Sequence, residues 1–345
     1  MKEEFPIFQR LINGNKLVYL DNAATTQKPG CVIDAMSNYY SSSNSNVHRA
    51  VHTLAGEATE GYEKCRKLLK SRFNANYAIL TSGTTEAINL VSHSWGEHNM
   101  SQGDVVVLTE MEHHSDIVPW QMLSKKKGIE LRYVPVEDGE LDMDAFDVAL
   151  DGAKLVCVVH TSNVLGIRNP VEQIISKSHK IGAKVLLDAA QAVPHEVIDF
   201  QALGADFMAF SAHKMCGPTG IGALLVSDEA FAEMQPFMGG GDMIETVTLK
   251  GSTYQSNEHK FEAGTPRIAE GFGWAAALEW MEDIDLEFHH VRLLKIANKV
   301  STELQNRGIT VYSSLQPGDA AVVSFTHPTI HLSLIHISEP TRLRH

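Results

Sequence analysis

The chain has 345 residues, 43% apolar and 21% charged, enough for one large α/β domain with a smaller partner and unlike a disordered, collagenous or coiled-coil chain. Lys and Arg number 29 against 42 Asp and Glu, a formal charge of −13, so no positive field exists to hold nucleic acid or an anionic membrane surface. Residues 1–16 show no signal or transit pattern, no apolar run approaches a membrane span, and Cys31, Cys65, Cys157 and Cys216 form no CxxC pair; a soluble cytoplasmic protein without a disulfide framework is expected.

Along the chain, Leu54, Ala58, Tyr62, Cys65, Leu69 and Phe73 recur every three or four positions, which predicts an amphipathic helix over 54–73. Short apolar runs follow at 77–80, 105–108, 131–136, 155–159, 184–187, 207–210 and 221–226, separated by helix-length stretches. Strands that are apolar throughout and alternate with helices require a mainly parallel sheet covered on both faces, hence a doubly wound α/β domain. Past Glu282 the alternation weakens, and 283–307 reads as a helix leading into a smaller unit. The expected division is an N-terminal segment (1–16) packing with the small unit, a large domain (17–282), an incomplete small domain (283–331) and a tail (332–345).

In such sheets ligands bind beyond the carboxyl ends of the strands, so the polar residues after each run are the candidates. Thr81-Ser-Gly-Thr-Thr85 places Gly83, Thr84 and Thr85 at a strand-to-helix junction, where free N–H groups and the helix dipole favour a phosphate; a plain helix cap uses the same residues. Asp188 ends an apolar run, where its carboxylate can pair with a protonated ring nitrogen, and Gln191 follows three residues on. Capping is the commoner use of such an Asp. Phe207-Met-Ala-Phe-Ser-Ala-His-Lys214 runs into Ser211, His213 and Lys214 before the glycine-rich 217–222; a lysine desolvated there can turn neutral and attack a carbonyl. His113 and His114 follow another run, where an imidazole can stack on a heterocycle and shuttle protons. Adjacent histidines point apart and no ligand lies at zinc spacing, so no metal is expected there. Phosphate cup, acid, glutamine, stacking histidine and amine together suit pyridoxal 5′-phosphate (PLP). A nicotinamide site is not supported, because no GxGxxG follows the first strand.

The stretches Tyr19-Leu-Asp-Asn-Ala-Ala-Thr25, Val47-His-Arg49, Gly83-Thr-Thr-Glu86, Met111-Glu-His-His114, Ser162-Asn-Val-Leu-Gly166, Asp188-Ala-Ala-Gln191, Ser211-Ala-His-Lys214 and Phe261-Glu-Ala-Gly-Thr-Pro266 resemble those of class V aminotransferase-fold enzymes, in particular SUF-type cysteine desulfurases and selenocysteine lyases. The resemblance implies PLP-dependent transferase fold type I, a large doubly wound seven-stranded domain with a small α+β domain, and conversion of L-cysteine (or L-selenocysteine) to L-alanine. It also implies a homodimer that hands persulfide sulfur to a SUF-type acceptor protein for iron-sulfur cluster assembly. By the same resemblance Lys214 is the Schiff-base lysine and α-proton base, Asp188 partners the ring nitrogen and Gln191 the ring hydroxyl. His113 stacks on the ring, Thr84, Thr85, Ser211 and His213 hold the phosphate, and Asn163 lies by the ring hydroxyl and substrate carboxylate. Thr265 reaches across from the second subunit. Kynureninase-like cleavage, transamination and a non-catalytic cofactor-binding protein are the alternatives. The Arg-x-Gly-His-His-Cys loop of such enzymes does not appear, 332–345 reads as a non-native tail on a truncated gene, and the four cysteines read as core or filler positions, so impaired desulfuration is expected.

Overall fold

The structure is a computed structural model that describes residues 2–48, 51–137 and 139–331. Arg49 and the 332–345 tail lie outside them. Two helices, α1 (Gly30–Asn38) and α2 (Thr53–Phe73), precede the sheet. The second follows the predicted apolar stripe and stops at Asn74, whose left-handed backbone (φ 48°) is one that Asn tolerates.

One sheet contains the seven expected strands: β1 (Tyr77–Thr81), β2 (Val105–Thr109), β3 (Glu130–Val134), β4 (Ala153–Val159), β5 (Lys184–Asp188), β6 (Phe207–Ser211) and β7 (Gly222–Val226). Their spatial order is β1-β7-β6-β5-β4-β2-β3. Neighbours are parallel except at β7, which runs antiparallel to both β1 and β6. The third strand ends two residues before the apolar run does. Pro135 has no N–H for the ladder, and Val136–Glu137 turns away to pair with Glu140–Leu141.

Period-two alternation sends successive strand residues to opposite faces. Leu80, Val107, Val158, Leu187 and Phe210 meet α2, α5 (Val171–Lys180) and α6 (Ile268–Glu282) on one side. Ile79, Leu108, Cys157, Leu186 and Ala209 meet α3 (Thr84–Val91) and α4 (Val118–Lys127) on the other. Each such Leu, Ile or Phe contributes about 1.5–3 kcal/mol by leaving water. Helices α2 and α6 approach so closely that a Cβ on Gly61 would sit 2.0 Å from the Phe272 ring.

Beyond α6, α7 (Leu286–Gln305) buries Leu294 and Ala297 against Leu315, and residues 310–311 pair with 325–326. The chain then meets the large sheet's loops: Ala320 N–H donates to Gly166 O at 2.7 Å and Arg168 N–H to Asp319 Oδ1 at 3.0 Å. The N-terminal segment rests on α6, where Phe5 packs edge-on to Trp280 at 5.5 Å and Trp280 Nε1 donates to Glu4 at 2.7 Å. Cys31, expected in the core, is instead exposed in the first turn of α1. Among the described residues, no helix is long and apolar enough to cross a membrane.

Candidate active site

The carboxyl ends of β1, β2, β4, β5 and β6 open onto one cavity of about 450 Å³. Thr84, Thr85, His113, Asn163, Asp188, Gln191, Ser211, His213 and Lys214 all line it. Thr265 does not; it is exposed and outside its own chain's cavity.

At one end, β1 passes into α3 through Gly83, whose φ of 154° is a glycine conformation and whose added Cβ would meet Ser211 Oγ at 3.1 Å. The backbone of β6 thereby comes close enough for Ser211 Oγ to accept the Thr84 N–H at 2.7 Å and to share a hydrogen bond with Thr84 Oγ1, also at 2.7 Å. Thr85 Oγ1 and Ser115 Oγ share another at 2.6 Å. Four hydroxyls at a helix N-terminus, with His213 and Lys214 beside them, form a donor set suited to an anion.

Also lining the cavity is Asp188, 3% exposed, with Oδ1 accepting the Ala190 N–H at 2.9 Å. Burial pushes its acid pKa up, and Lys214 and His113 oppose that only in part. A buried carboxylate of this kind is stabilised by any cation brought against it. Burial likewise lowers the Lys214 pKa, with Asp188 pulling it back, so the neutral, nucleophilic amine is reached at lower pH than for a surface lysine.

His113 Nδ1 accepts the Ser115 N–H at 3.1 Å, which leaves the proton of the neutral ring on Nε2. Burial lowers this histidine's pKa, favouring that neutral form. Behind it lie two fully buried acids, Glu112 and Asp116. Glu112 Oε1 accepts from Thr109 Oγ1 (2.5 Å) and Val159 N (3.0 Å), and Asp116 Oδ1 from Trp120 Nε1 (2.9 Å). Burial first, then the charge of Asp188, raises both well above the usual carboxylate range, and Asp116 raises Glu112 further.

Residues not singled out by position after a strand complete the wall: Ser115 and the segment with Asp21, Ala23 and Ala24. Tyr19 Oη donates to Thr25 O at 2.8 Å. The His213 carbonyl then receives Thr26 N (3.0 Å), Thr26 Oγ1 (2.9 Å) and Lys28 Nζ (3.0 Å). Gln191 Nε2 donates to Ala23 O at 2.7 Å, fixing its amide between this segment and the cavity. The available signal was the Tyr19–Thr25 stretch itself, which has neither strand nor helix periodicity. No cysteine among the described residues lines the cavity: Cys65 and Cys157 are buried and Cys216 is half-buried beside Thr26.

Taken together, the cavity offers an anion cup, a half-desolvated amine and a buried acid, the three contacts that a phosphorylated aldehyde with a basic ring requires. The description "Aminotransferase class-V" fits residues 18–338. A probable cysteine desulfurase of Halalkalibacterium halodurans is 44% identical over 96% of this chain and 82% of its own length; a cysteine desulfurase of Haloferax volcanii is 42% identical with the same coverage. The solved cysteine desulfurase from Thermococcus onnurineus NA1 superimposes with a TM-score of 0.88 at 37% identity, covering 96% of this chain and 82% of that one. For the cysteine desulfurase CsdA from Escherichia coli the values are 0.87 and 34%, with 96% and 83% covered. The expected fold is therefore the fold of these enzymes, and the chain belongs to the class-V aminotransferase family.

Proposed function

We propose that this chain is a PLP-dependent cysteine desulfurase that acts on L-cysteine to give L-alanine, with the sulfur leaving as persulfide to a thiol supplied from outside the cavity, since no cysteine of the described residues lines it. The observation that carries the reading is that Lys214, the hydroxyl cup and the buried Asp188 converge on one cavity. The cavity fits the cofactor: the cup supplies hydroxyl donors for a phosphate, while Asp188 is a buried acid whose pKa burial raises. When bound, PLP supplies an aldehyde for Lys214 and a ring that accepts electrons from the substrate's Cα.

In this reading Thr84, Thr85, Ser211 and His213 hold the phosphate, joined by Ser115. Asp188 keeps a proton on the ring nitrogen, at an acid whose own environment is too apolar to leave it unpaired. Gln191 and Asn163 orient the ring hydroxyl and substrate carboxylate, and His113 covers the ring face with its Nε2–H as a donor. Lys214 moves the proton at Cα, the role that a lowered amine pKa serves. Residues 17–282 act as the cofactor-binding domain, 283–331 as part of a small domain, and two copies pair so that Thr265 of each serves the other's phosphate. The sulfur acceptor is a SUF-type protein supplying iron-sulfur cluster assembly.

The test separates proton transfer from sulfur transfer. Cofactor-loaded protein incubated with L-cysteine in D₂O should exchange the Cα hydrogen, read by NMR, and with an added dithiol as sulfur acceptor should release L-alanine and sulfide. Bound cofactor with no exchange at Cα would overturn the assignment.

A further inference from the structure

Away from this cavity, His48, Glu63 and His259 bring one ligand atom each to within 4.8 Å of one another. His48 Nε2 lies 3.5 Å and His259 Nε2 3.8 Å from the same oxygen, Glu63 Oε1. We propose that these three side chains form a binding site for one divalent transition-metal ion of the zinc class.

The donor chemistry is two imidazoles and a carboxylate, a set that zinc accepts with a fourth position left to water. Two of the separations are close to the edge of a coordination tetrahedron, roughly 3.3–3.4 Å for bonds of 2.0–2.1 Å. The imidazoles do not stack face to face; their rings meet at 65° with centroids 4.8 Å apart. A turn of His48, whose side chain is 25% exposed, closes the remaining gap.

The outer contacts orient the ligands as metal sites require. Glu63 Oε2 is held by Arg66 Nε at 2.9 Å, and Arg66 Nη2 reaches Oε1 at 3.2 Å. On the far ring nitrogen of His259, Nδ1 faces Glu262 Oε2 at 3.8 Å. Arg66 is itself paired by Glu262 at 2.7 and 2.8 Å, so the Glu63–Arg66–Glu262 group carries one net negative charge toward the incoming cation. The ion would join the segment before α2, the third turn of α2 and residues 258–261, the last of which lead into Thr265. Sequence spacing gives no sign of it, since 196 residues separate Glu63 from His259.

Tag-free, cofactor-loaded protein titrated with ZnCl₂ by calorimetry should bind one tight equivalent per chain, and zinc should raise its melting temperature. His48→Ala and His259→Ala should each weaken that site by about 10-fold or more and abolish the melting shift. His179→Ala, at an exposed histidine paired with Asp206, should leave both unchanged. Absence of a tight equivalent, the same affinity in the His48 and His259 variants, or equal loss in His179→Ala would overturn the proposal.

Discussion

Lys214 and Asp188 face each other through charge as well as through the cofactor they are proposed to share. Removing the amine in Lys214→Ala should abolish the visible absorption of lysine-bound PLP while far-UV circular dichroism is unchanged, and Cα exchange should fall by about 10²–10⁴-fold. A retained band would remove Lys214 from its role. The pH dependence follows from the same pair. Only the neutral amine attacks the aldehyde, and burial lowers the Lys214 pKa from the ordinary 10.5 while the Asp188 carboxylate raises it. The rate at which cofactor-free protein captures PLP should therefore climb with pH through a midpoint below 10.5. In Asp188→Asn, with the stabilising carboxylate gone, the midpoint should move lower still. Stopped-flow absorbance across the pH range checks both, and an upward movement would contradict the electrostatics. The residues that were readable from the sequence share one property: a polar side chain immediately after an apolar strand. Ser115 and Asp21–Ala24 lack that frame. Their place depends on hydrogen bonds to the His213 carbonyl and on a two-residue turn at His113, contacts to which local periodicity is blind.

At the level of elements, the inner strands were visible because both faces of the sheet are buried there, so their central positions are apolar on both sides, whereas the edge strand β3 carries Glu130 and Arg132 and shows only a partial apolar run. Their direction was not visible. An apolar run reads the same in either orientation, and β7 turned out antiparallel between β1 and β6. That reversal has a consequence for the site, because it places Gly222 directly beside the cup: an added Cβ would lie 2.5 Å from Gly83 Cα and 2.6 Å from Phe210 O. Both obstacles are backbone and cannot rotate away. Gly222→Ala should therefore cost about 1–3 kcal/mol of stability by overpacking and, by displacing Gly83 from Ser211, weaken PLP binding. Gly251→Ala, in the exposed hairpin where an added Cβ meets nothing within 4 Å, should stay within about 0.5 kcal/mol. Urea denaturation and PLP titration of the two variants provide the comparison, and equal behaviour would show that the β7–cup contact has slack.

For the molecule as a whole, single-chain geometry leaves both a ligand and a surface unaccounted for. Thr265 stands exposed outside its own cavity, and large apolar side chains such as Leu20 (89% exposed), Phe288 (60%) and Ile296 (51%) face outward, more than an isolated soluble chain usually shows together. The proposed two-fold dimer, in which each subunit lends Thr265 to the other, would account for the first. Such a dimer should elute at twice the 38.0 kDa chain mass by light scattering. The arrangement in trans has a sharper signature. Lys214→Ala lacks the amine but keeps Thr265; Thr265→Ala keeps the amine but should bind PLP more weakly. When the two are mixed, dissociated and reassociated, each heterodimer regains one complete site, formed by Lys214 from one chain and Thr265 from the other. At a cofactor concentration that fills the parent but not Thr265→Ala, random pairing should restore about a quarter of the parental absorption band, since half the dimers are mixed and each holds one good site of two. If Thr265 instead served its own chain, every mixed site would lack either the amine or the threonine, and the band would not recover.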